Sequence, residues 1–153
     1  MTCNDAPFLH ELMNDPGYIA NVADRGIRTH DDARQWLIKK ILPSYQRYGF
    51  GSYLVELKET GAAIGSCGLI KRDALEDVDI GYAILQRFSG KGYAYESAAA
   101  VMAHGRKAFG LPRIIGLTSP ANAVSIHLLK KLGLQFEKMV QLPEFESPSM
   151  LFS

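Results

Sequence analysis

Six residues, Ser89-Gly90-Lys91-Gly92-Tyr93-Ala94, stand where a strand pattern gives way to a long helical one. Small residues at a helix start leave backbone N–H groups unblocked, and the helix dipole adds partial positive charge there. That combination binds phosphate without a cationic patch. The loop lacks the third glycine and the acidic strand end of a dinucleotide fingerprint. It also lacks the Gly-Lys-Ser/Thr ending of a nucleotide-triphosphate loop. Read alone, it is equally a phosphate site or a tight turn that lets helix and strand pack closely. A second strand-to-helix junction follows at Ser119-Pro120-Ala121-Asn122-Ala123-Val124-Ser125 and carries short polar side chains.

Other reactive residue types are sparse. His10, His30, His104 and His127 show no HExxH or paired spacing, so no metal is expected. Cys67 sits between Ser66 and Gly68 in a strand pattern with no histidine nearby, and reads as a small buried filler. Lys130 and Lys131 end a helical stretch and read first as a solvated face.

The whole chain narrows the classes. Its 153 residues suit one domain spanning 1–153, and 47% apolar content argues against disorder. Lys and Arg number 17 against 16 Asp and Glu, a net charge of +1. That balance gives no reason to expect nucleic acid or an acidic membrane as a partner. Only Cys3 and Cys67 are present, too few for a disulfide scaffold or a Cys-rich zinc module. No membrane-length apolar run and no signal-like N-terminus are visible, so the expectation is a cytoplasmic protein.

The elements that must position the two junctions follow from periodicity. Asn4 to Met13 reads as a helix closed by Asp15-Pro16-Gly17. Thr29-His30-Asp31-Asp32 offers a cap for a second helix that runs to Pro43, where it should kink or end. A short helical extension, Tyr45 to Tyr48, precedes Gly49. Strands are predicted at Ser52–Lys58, Ala63–Ile70 and Val78–Leu85, then a long helix at Tyr93–Phe109. A strand at Arg113–Thr118, a helix at Asn122–Leu132, a strand at Leu134–Gln141 and a last short strand at Ser149–Phe152 complete the chain. This order implies an α/β or α+β fold with a mixed sheet.

Four segments in this order resemble the GNAT superfamily of acetyl-CoA-dependent N-acetyltransferases. They are Ile64-Gly65-Ser66-Cys67-Gly68-Leu69, Asp79-Ile80-Gly81-Tyr82, Gly90-Lys91-Gly92-Tyr93-Ala94 with Glu96, and Ser119-Pro120-Ala121-Asn122 with Ser125 and Lys131-Leu132-Gly133-Leu134. Any one is weak, but together they cover most of Thr29 to Phe136. They are most similar to the ribosomal-protein N-terminal acetyltransferase branch.

The resemblance implies a single-domain fold with a mixed, mostly antiparallel sheet, splayed where acetyl-CoA binds. It places the pyrophosphate on backbone N–H groups of Ser89, Gly90, Lys91, Gly92, Tyr93 and Ala94. It places the pantetheine arm beside Tyr82, Ala83 and Ile84, with a bulge expected at Gly81. A backbone N–H there would stabilise the oxyanion formed as an amine attacks. Asn122 and Ser125 face the same channel, and Lys130 or Lys131 would meet the cofactor's 3′-phosphate. Trp36, Tyr45 and Tyr48 belong to the region that forms the acceptor wall.

Two departures from the family pattern matter. Ser89 stands where many members have Arg or Gln. Leu129 stands where many carry the tyrosine that protonates the leaving thiolate, and leucine cannot donate a proton. Ser125 or a water would serve instead, or the thiolate would leave unassisted, a thiol of pKa about 8.5 being a fair leaving group. For the base that deprotonates the amine, Asp79 and Glu56 are the candidates, each competing with an ordinary solvated-carboxylate reading. Glu96, in the first turn of the long helix, reads as structural.

The expectation is therefore an enzyme that transfers acetyl from acetyl-CoA to a primary amine, either a protein N-terminal α-amine or a small molecule, with no metal. The alternative is a non-catalytic acyl-CoA-binding sensor. The family's usual first edge strand is expected to be missing, leaving a sheet edge to be tolerated or covered by a partner chain, in a monomer or a homodimer.

Overall fold

The computed structural model describes all residues 1–153. Four short helices come first: α1 (Ala6–Asn14), α2 (Pro16–Asn21), α3 (His30–Trp36) and α4 (Leu42–Tyr48). The predicted cap forms at α3, where Thr29 Oγ accepts the Asp32 N–H and the Asp32 carboxylate accepts the Thr29 N–H. The helix expected to kink or end at Pro43 instead widens into a π turn, Leu37–Ile41, and continues as α4. A proline lacks an N–H and crowds the carbonyl four residues back, and the wider turn relieves both. The turn expected at Asp15-Pro16-Gly17 opens α2 directly. Asp15 is its N-cap, and Pro16 takes the first helical position. These helices enclose their own apolar cluster of Ala6, Leu9, Met13, Ile27, Ala33, Leu37 and Ile41.

The remainder is one sheet with two long crossings. Strands β1 (Ser52–Glu56), β2 (Ala63–Lys71) and β3 (Val78–Ile84) pair antiparallel. Helix α5 (Tyr93–Phe109) carries the chain to β4 (Ile114–Thr118), parallel to β3. Helix α6 (Ala123–Lys131) leads to β5 (Phe136–Val140), and β6 (Ser149–Phe152) inserts between β4 and β5. The order is β1-β2-β3-β4-β6-β5, so β1 and β5 are the edges. The main core joins sheet to helices through Cys67, Leu69, Ile80, Ala98, Met102, Ile114, Leu129 and Phe152. No helix is long and apolar enough to cross a membrane.

The sheet opens in its middle. β3 and β4 pair only from Val78↔Ile114 to Ile80↔Gly116, although β3 continues to Ile84 and β4 to Thr118. The expected bulge at Gly81 is not there: the β2–β3 register is unbroken from Lys71↔Val78 to Gly65↔Ile84. Leu129 of α6 is fully buried over Gly116, where a Cβ would stand 2.3 Å from its Cδ2. A side chain on this last paired residue of β4 would collide with the leucine, so Gly116 lets α6 lie close on the sheet at the point where the two strands diverge.

Candidate active site

The gap between β3 and β4 is lined by main chain. On β3, Leu85 N–H donates to Ile64 O at 2.8 Å, which fixes the alternation of the β2–β3 ladder. Counting back by twos, the peptide groups of Ala83 and Gly81 face β2, while those of Tyr82 and Ile84 face the gap, beyond the reach of β4. Of the three residues expected beside the pantetheine arm, two therefore present unpaired N–H and C=O groups to it.

At the far end of β3 the chain turns through Gln86–Phe88 into the glycine loop. Gly90 and Gly92 take φ of +76° and +84°, in the left-handed region that disfavours side chains. Nothing lies within 4 Å of where a Cβ would sit on either, so the constraint is conformational and the surface above them is open. Gly92 is the N-cap of α5 and supplies no side-chain acceptor. No protein group accepts the backbone N–H of Gly90, Lys91, Gly92, Tyr93, Ala94 or Tyr95. Contrast α6, where Asn122 Oδ1 accepts the Ser125 N–H at 3.1 Å. Six free donors at the head of a 17-residue helix form an anion cradle built from backbone. Ser89, expected among the donors, is not free to serve: the turn sends both its N–H and its hydroxyl to Gln86 O, at 3.1 and 2.7 Å. Lys91 is exposed, its Nζ 6.0 Å from the Phe88 ring centre. Lys131 lies with its Nζ 4.3 Å from the ring centre of Tyr95, which brings one of the two candidate lysines beside the first turn of α5.

The other candidates separate. Ser125 is buried at 9% exposure, and its Oγ meets the Tyr82 hydroxyl at 2.8 Å across the gap. Burial pushes the Tyr82 phenol up to about 12, so it stays protonated at working pH. Glu56 is exposed on edge strand β1, opposite Ala63, which puts it at the open end of the sheet. Asp79 is not brought to the gap. It stands at the closed end, opposite Ile70 and Ile115 and 3% exposed, with Arg72 Nε 3.2 Å from Oδ1 and Nη2 3.3 Å from Oδ2. Burial raises its carboxyl above the usual range, and the Arg72 guanidinium opposes that rise. Arg72 also bonds Glu144 and lies 5.5 Å over the Phe145 ring, tying the β5–β6 connection to β2 and β3. Cys67 is the filler expected: it is 1% exposed, and burial raises its thiol to about 12, far from a nucleophilic thiolate. Of the aromatics in the region expected to form the acceptor wall, Tyr45 stacks on Tyr53 and Tyr48 on Phe50, while Trp36 lies under Arg25.

Sequence reasoning missed the residues that hold the helical wall to the gap. Asp15 carboxylate oxygens accept the Gln86 N–H at 3.2 and 3.3 Å, just past the end of β3, and Arg87 pairs with Glu11 at 2.5 Å. No local pattern announces contacts across such sequence separations. Arg72 was within reach: an antiparallel hairpin that pairs Ile70 with Asp79 brings Arg72 beside that carboxylate.

Residues 1–135 match the family model described as the acetyltransferase (GNAT) domain. The chain belongs to the GNAT acetyltransferase family. As a member it is an acyltransferase. A relative, the uncharacterized N-acetyltransferase YnaD of Bacillus subtilis (strain 168), is 26% identical over 129 residues, covering 84% of this chain and 72% of YnaD. Among solved structures, RimL, a ribosomal L7/L12 α-N-protein acetyltransferase in complex with coenzyme A, superposes with TM-score 0.83 at 16% identity, over 99% of this chain and 89% of RimL. The aminoglycoside acetyltransferase AAC(6')-Ib in complex with coenzyme A and kanamycin gives 0.80 at 21%, over 99% and 90%. At such identities the likeness speaks for the fold, a splayed mixed sheet as expected.

Proposed function

We propose that this GNAT member transfers the acetyl group of acetyl-CoA to a primary amine by direct attack, with both substrates held in the gap between β3 and β4. One observation carries the reading: the run of unpartnered N–H groups from Gly90 to Tyr95 leads directly from the strand whose Tyr82 and Ile84 peptides face the gap. An anion cradle beside a free strand edge suits a long ligand with a diphosphate at one end and a peptide-like arm. The pantetheine arm pairs with Tyr82–Ile84, and the pyrophosphate rests on the free N–H groups of residues 90–95. Lys131 meets the ribose phosphate.

The thioester carbonyl then lies against a gap-facing N–H of β3, which stabilises the charge that develops on its oxygen. Asn122 holds the first turn of α6, and Ser125 turns its hydroxyl to the sulfur. Because an aliphatic hydroxyl is a weaker acid than a thiol, Ser125 stabilises the leaving thiolate by a hydrogen bond. The proton that sulfur finally takes balances the one the acceptor nitrogen loses. Of the two carboxylates, we assign the base to Glu56, acting through water from the open end, and a structural role to Asp79, whose charge Arg72 engages. Holding donor and amine together supplies the orientation advantage, and the CoA diphosphate supplies binding energy remote from the reacting carbon.

The acceptor is a protein N-terminal α-amine, as in the name of RimL, or a small-molecule amine, as kanamycin with AAC(6')-Ib. The test is a steady-state assay of free CoA release over both acceptor classes: peptides with free N-termini, polyamines and aminoglycosides. Turnover on a member of either class is expected. CoA binding with no turnover on any amine would sink the enzymatic reading. Glu56→Gln is expected to lower kcat about 100-fold, in the range of a positioned proton acceptor. Unchanged kcat would remove Glu56 from the mechanism.

A further inference from the structure

Tyr82 projects from β3 just beyond the last β3–β4 pair, Ile80↔Gly116. Its hydroxyl crosses the gap to Ser125 Oγ, 43 residues on, at the head of the helix that packs against β4. Both ends are anchored. Tyr82 sits in an unbroken ladder opposite Cys67, and its ring packs on the main core. The Ser125 N–H is held by Asn122, and Leu129 one turn later is fully buried on Gly116. The two hydroxyls are thus fixed across the splay by packing on either side.

A serine in the first turn of a helix commonly donates to a carbonyl three or four residues back. Ser97 of α5 does so, to Tyr93 O at 2.7 Å, but Ser125 has no such partner. Its one side-chain partner is the phenol. If the phenol donates, the serine oxygen is satisfied and its own hydrogen is left over, with no protein acceptor to take it. Burial keeps the phenol protonated, which suits it to donate throughout the working pH range.

We propose that Tyr82 is a positioning residue for acetyl transfer: its phenol donates to Ser125 Oγ and so turns the serine's remaining hydrogen toward the leaving sulfur. This rests on the reading of Ser125 given above and extends it to a group that does not itself touch the sulfur. As the nitrogen–carbon bond forms and the carbon–sulfur bond breaks, the electron pair stays on sulfur, and the oriented Ser125 hydrogen meets it. Tyr82 keeps its proton throughout. Ordering one rotor before reaction is a modest but real catalytic contribution, and it replaces what Leu129 cannot supply.

The test uses the purified full chain, an amine turned over by the wild type, and CoA affinity measured by calorimetry. Tyr82→Phe is expected to lower kcat about 10-fold, leaving KM for acetyl-CoA and Kd for CoA within about 2-fold of wild type. Ser125→Ala is expected to lose as much or more, Ser125→Thr to retain most activity, and the double variant Tyr82→Phe/Ser125→Ala to be no slower than Ser125→Ala. A Tyr82→Phe enzyme with wild-type kcat would overturn the proposal, as would a loss confined to CoA affinity. Losses that multiply in the double variant would do the same. Should Tyr82→Phe fail to fold, the serine pair decides: equal loss in Ser125→Ala and Ser125→Thr overturns the idea, and rescue by threonine supports it. A wild type that binds CoA but turns over no amine would overturn the enzymatic reading and this proposal together. Wild-type turnover with an indifferent Tyr82→Phe overturns the positioning role alone.

Discussion

The two ends of β3 are built on opposite principles. From Val78 to Ile80 the strand has neighbours on both sides, and charged groups tie it down: Asp79 to Arg72, Arg72 to Glu144, and Arg113 to Asp77 and Glu137. From Gly81 to Ile84 it has one neighbour, and a single pair of neutral hydroxyls spans the gap. The difference teaches where the fold is spent on stability and where it is left open for ligand. Unpaired peptide groups are costly when buried, so a half-strand that keeps them needs a partner of its own. The closed end supplies the rigidity that holds those groups in place.

The largest expected effect tests the closed end. Arg72→Met leaves Asp79 buried without its counter-charge, and removing one member of a buried pair costs about 3–5 kcal/mol. The sign with pH follows from the carboxyl. Its folded pKa is already raised by burial, and without Arg72 it rises further. Such a group favours the folded state while protonated and loses that advantage as pH climbs from the unfolded value through the folded one. The variant is therefore expected to lose more stability at pH 7 than at pH 5, read by urea unfolding at both. An equal loss at both would mean that Asp79 does not carry the cost.

Gly92→Val tests the open end. A β-branched residue at a φ of +84° must move the loop, and with it the N–H groups of the cradle. Losing even two hydrogen bonds to a charged group weakens CoA binding about 100-fold or more. Stability should change by only about 1–2 kcal/mol, the cost of the left-handed conformation. Calorimetry with CoA and a melting curve separate the two. Affinity within a few fold of wild type would move the phosphate site elsewhere.

How much of this contrast was legible in the sequence depends on the range of the contacts behind it. The loop was readable because glycines, a strand before and a helix after are all local signals. So was the Thr29 cap, since its partner Asp32 is three residues away. Asp15-Pro16 was read as a stop and is also a start: Asp15 closes α1 and caps α2, because proline suits the first turn of one helix as well as the end of another. The splay was expected, but the bulge expected with it at Gly81 is absent, the β2–β3 register being unbroken there. The contact of Leu129 with Gly116 where the strands part had no local signal either, since it is made only once α6 packs on β4. Asp79 was offered as a base because alternation gives a face and says nothing of Arg72 waiting there. The Tyr82–Ser125 pair, 43 residues apart, had no local signature at all.

Asn122→Ala sharpens the open end at a smaller scale. Its amide oxygen is the cap of α6 and holds the Ser125 N–H. Loss of such a cap costs about 1 kcal/mol, and a domain of this size should melt about 2–4 °C lower. If the melting temperature is unchanged, the cap is replaceable by water and Ser125 is held from Tyr82's side.

The smallest effect is expected at the closed end, where it separates burial from mere charge. Arg113 pairs with Glu137 in the same corner as Arg72 with Asp79, but its side chain is 44% exposed and that of Glu137 35%. The Arg72 side chain is 16% exposed and the Asp79 side chain 4%. Coulomb attraction between exposed groups is screened by water and salt, so Glu137→Gln should cost under about 1 kcal/mol, and less at high ionic strength. If urea unfolding instead gives a loss near that of Arg72→Met, the corner is held by a coupled network of charges. The closed end would then be more sensitive to salt than a buried lock allows. A small, salt-dependent loss leaves the Arg72–Asp79 pair as the element against which the open half of β3 is set.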